Sequence, residues 1–293
     1  MGLPDSFDKA MRRIRFMRGL RLCFVAAAAA AALHVQAHEF WMYAHPFNTP
    51  VNGKSELSLH VGEQFAGERL PFTQPYVAGL TRYSCGTRAD VLPDVPPGLS
   101  TMGLSIQLAC PGVHLWAMDS HPNKVNLSAD KFEAYLHAEG LGHISEARKA
   151  DGRSESPGRE RYQRHVKSIV MASRSMGAPR SEAKTALNIR TGQRLEIVPP
   201  ENLLLPASSA LRTFSVFFEG KPLANSLVKA WHVQPNQTTV LHSRSDAAGQ
   251  VVFRLPYAGA WMVSTVHMKK SSTPDLIDWD SFWGNLTFHV PPN

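Results

Sequence analysis

The chain is 293 residues long and carries a formal net charge of +7. Residues 1–37 contribute six basic and two acidic side chains to that total, so the rest is only weakly basic and gives no support for a nucleic-acid partner. The segment beyond residue 37 is long enough for one large domain or two smaller ones with real cores.

Residues 1–37 read as an export signal rather than as folded structure. Arg12, Arg13, Arg15, Arg18 and Arg21 form a basic region. The apolar run LCFVAAAAAAAL at 22–33 is short of the roughly 20 residues a bilayer span needs. Val35-Gln36-Ala37 ends on a small residue, as cleavage sites do. Cys23 lies inside the apolar run, which argues against a lipoprotein. Cleavage after Ala37 leaves a periplasmic protein without a transmembrane span, beginning His38-Glu39-Phe40-Trp41. The cysteines beyond the signal, Cys85 and Cys110, enclose 24 residues. An oxidising compartment favours a disulfide between them. The alternative, a thiol metal site, lacks a recognisable ligand spacing.

Residues 38–43 read as the first strand, since aromatics suit strands. Pro46 and Pro50 force a loop. Residues 55–61, SELSLHV, alternate with period two. Residues 81–85 and 101–109 read as short strands, with Pro93, Pro96, Pro97 and Gly98 excluding a helix or central strand between them. In 112–119 one face carries His114, Trp116 and Met118 and the other Val113, Leu115 and Ala117. Residues 128–138 show helical spacing at Phe132, Tyr135 and Leu136, with Ser128 as N-cap, and a second short helix starts near Ile144. Residues 146–165 mix Arg and Glu and read as a solvated insertion; residues 162–171 fit a helix or a long strand. Residues 172–186 are again polar.

A second module starts near Gly192. Strands are expected at 195–198, 210–218, 226–233, 238–243, 251–255, 259–268 and 286–290, with turns at 220–222 and 246–249. The fold class is therefore mainly β: immunoglobulin-like β-sandwich modules with short helices in an insertion. The expected division is a β-rich part at 38–190, which holds the helices and the charged insertion, and an immunoglobulin-like sandwich at 191–293.

Several stretches together carry a family resemblance. They are His38-Glu39-Phe40-Trp41, Lys131-Phe132-Glu133-Ala134-Tyr135-Leu136 with Glu139-Gly140-Leu141, and Arg159-Glu160-Arg161-Tyr162 with Lys167. Further along come Leu195-Glu196-Ile197-Val198-Pro199, Phe217-Phe218-Glu219-Gly220-Lys221-Pro222-Leu223, Ala230-Trp231-His232, Thr265-Val266-His267-Met268 and Trp279-Asp280-Ser281-Phe282-Trp283. In order and spacing the chain resembles the DUF4198 family, periplasmic domains of unknown function linked with nickel and cobalt uptake. The resemblance implies export, a β-rich fold, a role around divalent metals and a metal-uptake transporter component as partner.

The residues themselves point to a metal site at His38, His232 and His267. A mature N-terminal His38 offers its α-amine and imidazole together. Nitrogen donors suit nickel, copper or zinc, and the resemblance adds cobalt. An amine with two imidazoles favours copper, and a thioether from Met42 or Met268 suits copper(I), although Met268 points away from His267 on a regular strand. Glu39 is expected to ligate weakly or to orient an imidazole. His45, His114 and His121 are lesser candidates with structural roles. No GxSxG, HExxH, glycine-rich phosphate loop or CxxC occurs, and Asp278 and Asp280 read as surface carboxylates, so no enzyme class is indicated. The competing function is a metal-independent β-sandwich module that binds a peptide, glycan or envelope partner. The tryptophans would line a sugar-binding face in that case, although core packing explains them more simply.

Overall fold

The computed structural model describes residues 39–98, 101–174, 187–207, 211–235 and 237–292. The expected export signal, His38 and residues 175–186 of the second polar stretch lie outside them. Strands β1 (Glu39–His45), β2 (Asn48–Pro50), β3 (Lys54–Glu63), β4 (Ala66–Leu70), β5 (Val77–Ser84), β6 (Thr87–Asp90), β7 (Leu104–Gln107), β8 (Gly112–Ser120) and β9 (Asn123–Leu127) precede two helices, α1 (Ala129–Ala138) and α2 (Gly142–Ala150). Then come β10 (Gly158–Ser173), β11 (Leu195–Val198), β12 (Leu211–Phe218), β13 (Lys221–Pro222), β14 (Leu227–Gln234), β15 (Gln237–Arg244), β16 (Gln250–Arg254), β17 (Gly259–Lys270) and β18 (Trp279–Val290). The chain is mainly β with two short helices between the sheets. Among the described residues no helix is long and apolar enough to cross a membrane.

A large middle sheet runs in the order β15-β14-β17-β18-β10-β8-β5-β6. Strand β8 and much of β17 and β18 are buried on both faces, which fits a sheet covered on both sides. On one face Leu115, Ile169, Val263 and Leu286 meet Ile197, Phe214, Val216 and Phe253 of the small sheet β11-β12-β16. On the other, Trp116, Met118, Val166 and Val170 meet Phe40, Met42, Leu57 and Leu59 of the sheet β1-β3-β4. Each such fully buried side chain stabilises the fold by roughly 1.5–3 kcal/mol. Among the described residues strand β1 pairs only with β3. Asn285 Nδ2 and Thr287 Oγ1, both on β18, donate to the carbonyls of Phe40 and Met42 at 2.6 Å each. These side chains replace a ladder partner and plant β1 on the middle sheet. The described residues from Glu39 on make one compact unit, and the middle sheet crosses the boundary expected near residue 190.

The expectation of a solvated insertion at residues 146–165 is corrected here, and of the two alternatives for 162–171 the long strand is the one observed. After α2 ends, β10 runs for 16 residues through the middle sheet, parallel to β18 and antiparallel to β8 and β9. Its charges are held by partners distant in sequence. Arg159 meets Asp278 at 2.8 Å, Arg161 meets Asp280 at 2.7 Å, His165 Nδ1 meets Asp119 at 2.7 Å, and Lys167 meets Glu196 at 3.1 Å. Asp278 and Asp280 are thus buried ion-pair partners, not surface carboxylates. The disulfide Cys85–Cys110 is present.

The helices cover the part of the middle sheet that the β1-β3-β4 sheet leaves open. Phe132, Tyr135, Leu136 and Ile144 pack on Val266, Met268 and Trp279. Ser128 takes the N-cap position, but its hydroxyl bonds to the Asp130 carboxylate rather than to a free backbone amide. At the other end α1 stops at Gly140, whose φ of +67° only glycine adopts easily. Gly140 N–H donates to His137 O at 3.1 Å and Leu141 N–H to Leu136 O at 2.8 Å. This is the Schellman ending, with Leu136 and Leu141 sharing the apolar contact that accompanies it. A Cβ on Gly140 would come within 2.8 Å of Leu227 and Arg244, so the turn lies close against the start of β14 and the end of β15.

Candidate functional site

The histidines singled out from sequence do not gather at one point. His232 is opposite Trp261 in the β14–β17 ladder. His267 lies six residues further along β17, and at the rise of a strand that is about 20 Å. This corrects the expected convergence of His232 and His267; His38 is outside the described residues. His232 is buried and stacked between Tyr257 and Trp261. Its Nδ1 is 2.7 Å from the Ala260 carbonyl, which can only accept, so Nδ1 carries the proton. Met268 points the other way, into the core under the helices, as strand alternation requires. His114 is buried with Nε2 2.8 Å from the Cys110 carbonyl, a structural role.

His267 lines a cleft of about 570 Å³. The cleft arises from register. β14 pairs with β17 only as far as Val228↔Thr265, so among the described residues the edge of β17 beyond Thr265 has no strand beside it on that side. The α1–α2 turn and residues 223–227 close the notch from either side. Glu139, His143 and Glu146 enter from the helices, Arg244 from the end of β15, and His267 from β17.

The helical pair His143 and Glu146 is spaced i, i+3 and so shares one face of α2. His143 Nε2 lies 3.3 Å from the Met268 carbonyl. In that contact Nε2 carries a proton, because a carbonyl can only accept. His267 packs against Phe218, ring centroids 4.3 Å apart. Burial, together with the nearby His143 and Lys269, holds its pKa down at about 4, so it is a neutral imidazole at physiological pH.

Behind the cleft is a second polar group. Glu139 accepts a hydrogen bond from Lys229 Nζ at 2.8 Å, and both are almost fully buried. Glu39, on β1, faces the same pair. Burial, then repulsion from Glu139, raises its pKa to about 8, against the opposing pull of Lys229 and the Phe65 N–H. Its Oε2 is buried without a hydrogen-bond partner among the described residues. Burial thus favours the protonated form of Glu39 at neutral pH, and the group it faces is the Glu139–Lys229 pair. Among the described residues no three His, Cys, Asp or Glu side chains converge closely enough to enclose one ion.

Sequence reasoning missed His143, Glu146, Glu139 and Arg244. A signal for three of them was present: a helix stop at Gly140 followed by a new helix that opens with His and Glu one turn apart.

A three-layer β protein with a helical hairpin beside an open cleft is the class that the fold and site define. The chain belongs to the DUF4198 family, a domain of unknown function, whose profile matches residues 35–269. No curated protein matches it. Among solved structures it is similar to the three N-terminal domains of the bacteriophage RB49 Highly Immunogenic Outer Capsid protein (Hoc), at 10% identity and a TM-score of 0.18. That alignment covers 85% of this chain and 59% of the other, so this chain spans less than two thirds of that protein's length. At that score the likeness carries no argument about function.

Proposed function

We propose that this is a periplasmic accessory protein that binds a divalent transition metal and hands it to a nickel or cobalt uptake system, with the cleft between α2 and β17 as the metal site. One observation carries the reading: His143 and His267, from elements far apart in sequence, line one cleft. His267 stays unprotonated down to about pH 4, and a neutral imidazole is the form that ligates. Two imidazole donors, with no third His, Cys, Asp or Glu converging on them among the described residues, leave coordination positions open, which suits exchange of an ion more than its permanent storage. The strands from β11 to β18 serve as an immunoglobulin-like scaffold in this reading.

Calorimetric titration of the metal-free, untagged mature protein with nickel, cobalt, copper and zinc tests it. The expected result is about one equivalent bound, lost in His143→Ala and in His267→Ala but kept in His232→Ala. A variant with one alanine placed before His38 separates this site from an amine-based one. If that insertion abolishes binding while His143→Ala leaves it intact, the cleft is not the metal site.

A further inference from the structure

We infer that a second cavity, at the other end of α2 from the cleft, binds a phosphate group through Arg148, Arg153 and Lys270. The inference does not rest on the metal reading, since none of these residues lines the cleft.

The cavity has a volume of about 280 Å³ and lies between the end of α2 and the loop that joins β17 to β18. That is just under the roughly 300–1,000 Å³ of pockets that bury a whole small ligand, so it fits a compact anionic group. Arg148 lines it and is only 2% exposed. Its guanidinium is fixed in place. Nη2 donates to the carbonyls of Ser154 at 3.1 Å and Ser156 at 2.7 Å, and Cζ lies 4.9 Å from the centre of the Phe132 ring. Nε is buried without a hydrogen-bond partner among the described residues. Its ion-pair partner, Glu133, is half exposed and 4.0 Å away, beyond hydrogen-bond reach. A buried arginine with unused donors beside a cavity calls for an acceptor that enters it.

The charges agree. Arg148, Arg153 and Lys270 line the cavity against Asp151 and Asp278, three positive charges against two negative. Both carboxylates are already engaged. Asp151 meets Lys270 at 2.7 Å, and Asp278 meets Arg153 at 2.8 Å and, from outside the cavity, Arg159 at 2.8 Å. Arg159 raises the surplus further, and the exposed Glu133 offsets it only weakly. Lys270 and Arg153 keep further N–H donors beyond those pairs. The donors come from α2, from the turn after it and from the end of β17. Approach from three sides suits a tetrahedral oxyanion more than a planar carboxylate, which a single arginine fork satisfies. The carbonyls at this end of α2 do not oppose an anion, because those of Ala147, Arg148 and Lys149 accept from the N–H groups of Asp151, Arg153 and Gly152.

Calorimetric titration of the metal-free mature protein with inorganic phosphate tests it, and with no metal present the outcome is independent of the nickel titration. About one equivalent is expected to bind, and acetate at the same concentration should not displace it. Lys270→Gln should weaken binding about tenfold or more, the loss of one charge-assisted hydrogen bond. Arg148→Gln should abolish it. That change also removes a buried brace and can destabilise the fold, so Lys270→Gln, which alters an exposed rim position, carries the test on its own. A parallel titration with glycerol 1-phosphate separates the sources of the group: tighter binding than inorganic phosphate assigns a phosphate ester, weaker binding the free ion. No saturable binding at about 10 mM phosphate, roughly ten times a Kd of about 1 mM, overturns the inference. Binding that Lys270→Gln and Arg153→Gln together leave unchanged also overturns it, because the ion would then sit elsewhere, and so does displacement by acetate.

Discussion

Replacing Glu39 by glutamine should make the protein more stable at neutral pH, and the size of the effect depends on where the carboxyl sits. In the folded chain its pKa is raised from 4.5 to about 8, chiefly by burial and then by Glu139. Between those values the folded state holds a proton that the unfolded chain has lost. Stability contributed by that proton is fully present below about pH 4.5 and is lost as pH rises through about 8. Each pH unit in that window is worth about 1.4 kcal/mol, so by pH 7 the wild type has lost about 3 kcal/mol. Glutamine has nearly the same shape and no proton to lose. Urea unfolding of both proteins at pH 5, 6, 7 and 8 isolates the effect, since other groups titrate alike in the two. The glutamine variant should gain on the wild type by about 1.4 kcal/mol per unit, starting from a small difference near pH 5. Parallel curves would refute the reasoning, because Glu39 would then ionise normally in the fold with Lys229 as its partner.

Two further outcomes are expected from the packing. Removing the Cys85–Cys110 link by double serine substitution should cost about 3 kcal/mol for a closed loop of this size; an unchanged urea midpoint would contradict a structural role. Glu196→Gln leaves Lys167 buried beside a neutral amide. Burial alone would raise the Glu196 carboxyl, but Lys167, the Thr191 N–H and Arg190 together hold it below the usual range. Losing that anion should cost about 3–5 kcal/mol, whereas replacing both partners, Lys167→Met with Glu196→Leu, should recover much of it. A double variant no better than the single one would show that the loop at 190–194 depends on the carboxylate itself.

Alternation and composition made part of the fold readable from the sequence. The two-faced pattern of 112–119 marked a strand, and Phe132, Tyr135 and Leu136 marked α1. The cysteine pair was readable from its expected compartment. β10 was hidden because its residues are charged. Arg159, Arg161, His165 and Lys167 alternate along one face, each matched by a carboxylate on β8, β11, β18 or the residue just before β18. Local sequence shows the charges and not the partners, so a central strand looked like a solvated insertion. The parallel pairing of β10 with β18 is equally non-local.

The site was half legible for the same reason. Residue chemistry marked out His232 and His267, but only the β14–β17 register shows that they stand far apart on one sheet face. That register also ends early enough to open the cleft beside His267. His143 enters because a Schellman turn at Gly140 swings α2 across the exposed edge of β17, a consequence of packing that no spacing in the sequence expresses.

The most direct test of the metal site is a crystal of the mature protein soaked with nickel, with diffraction recorded on both sides of the nickel absorption edge. A metal site in the cleft predicts one strong anomalous peak there, about 2 Å from His143 Nδ1 and from a ring nitrogen of His267. A peak beside His38, with the cleft empty, would contradict it.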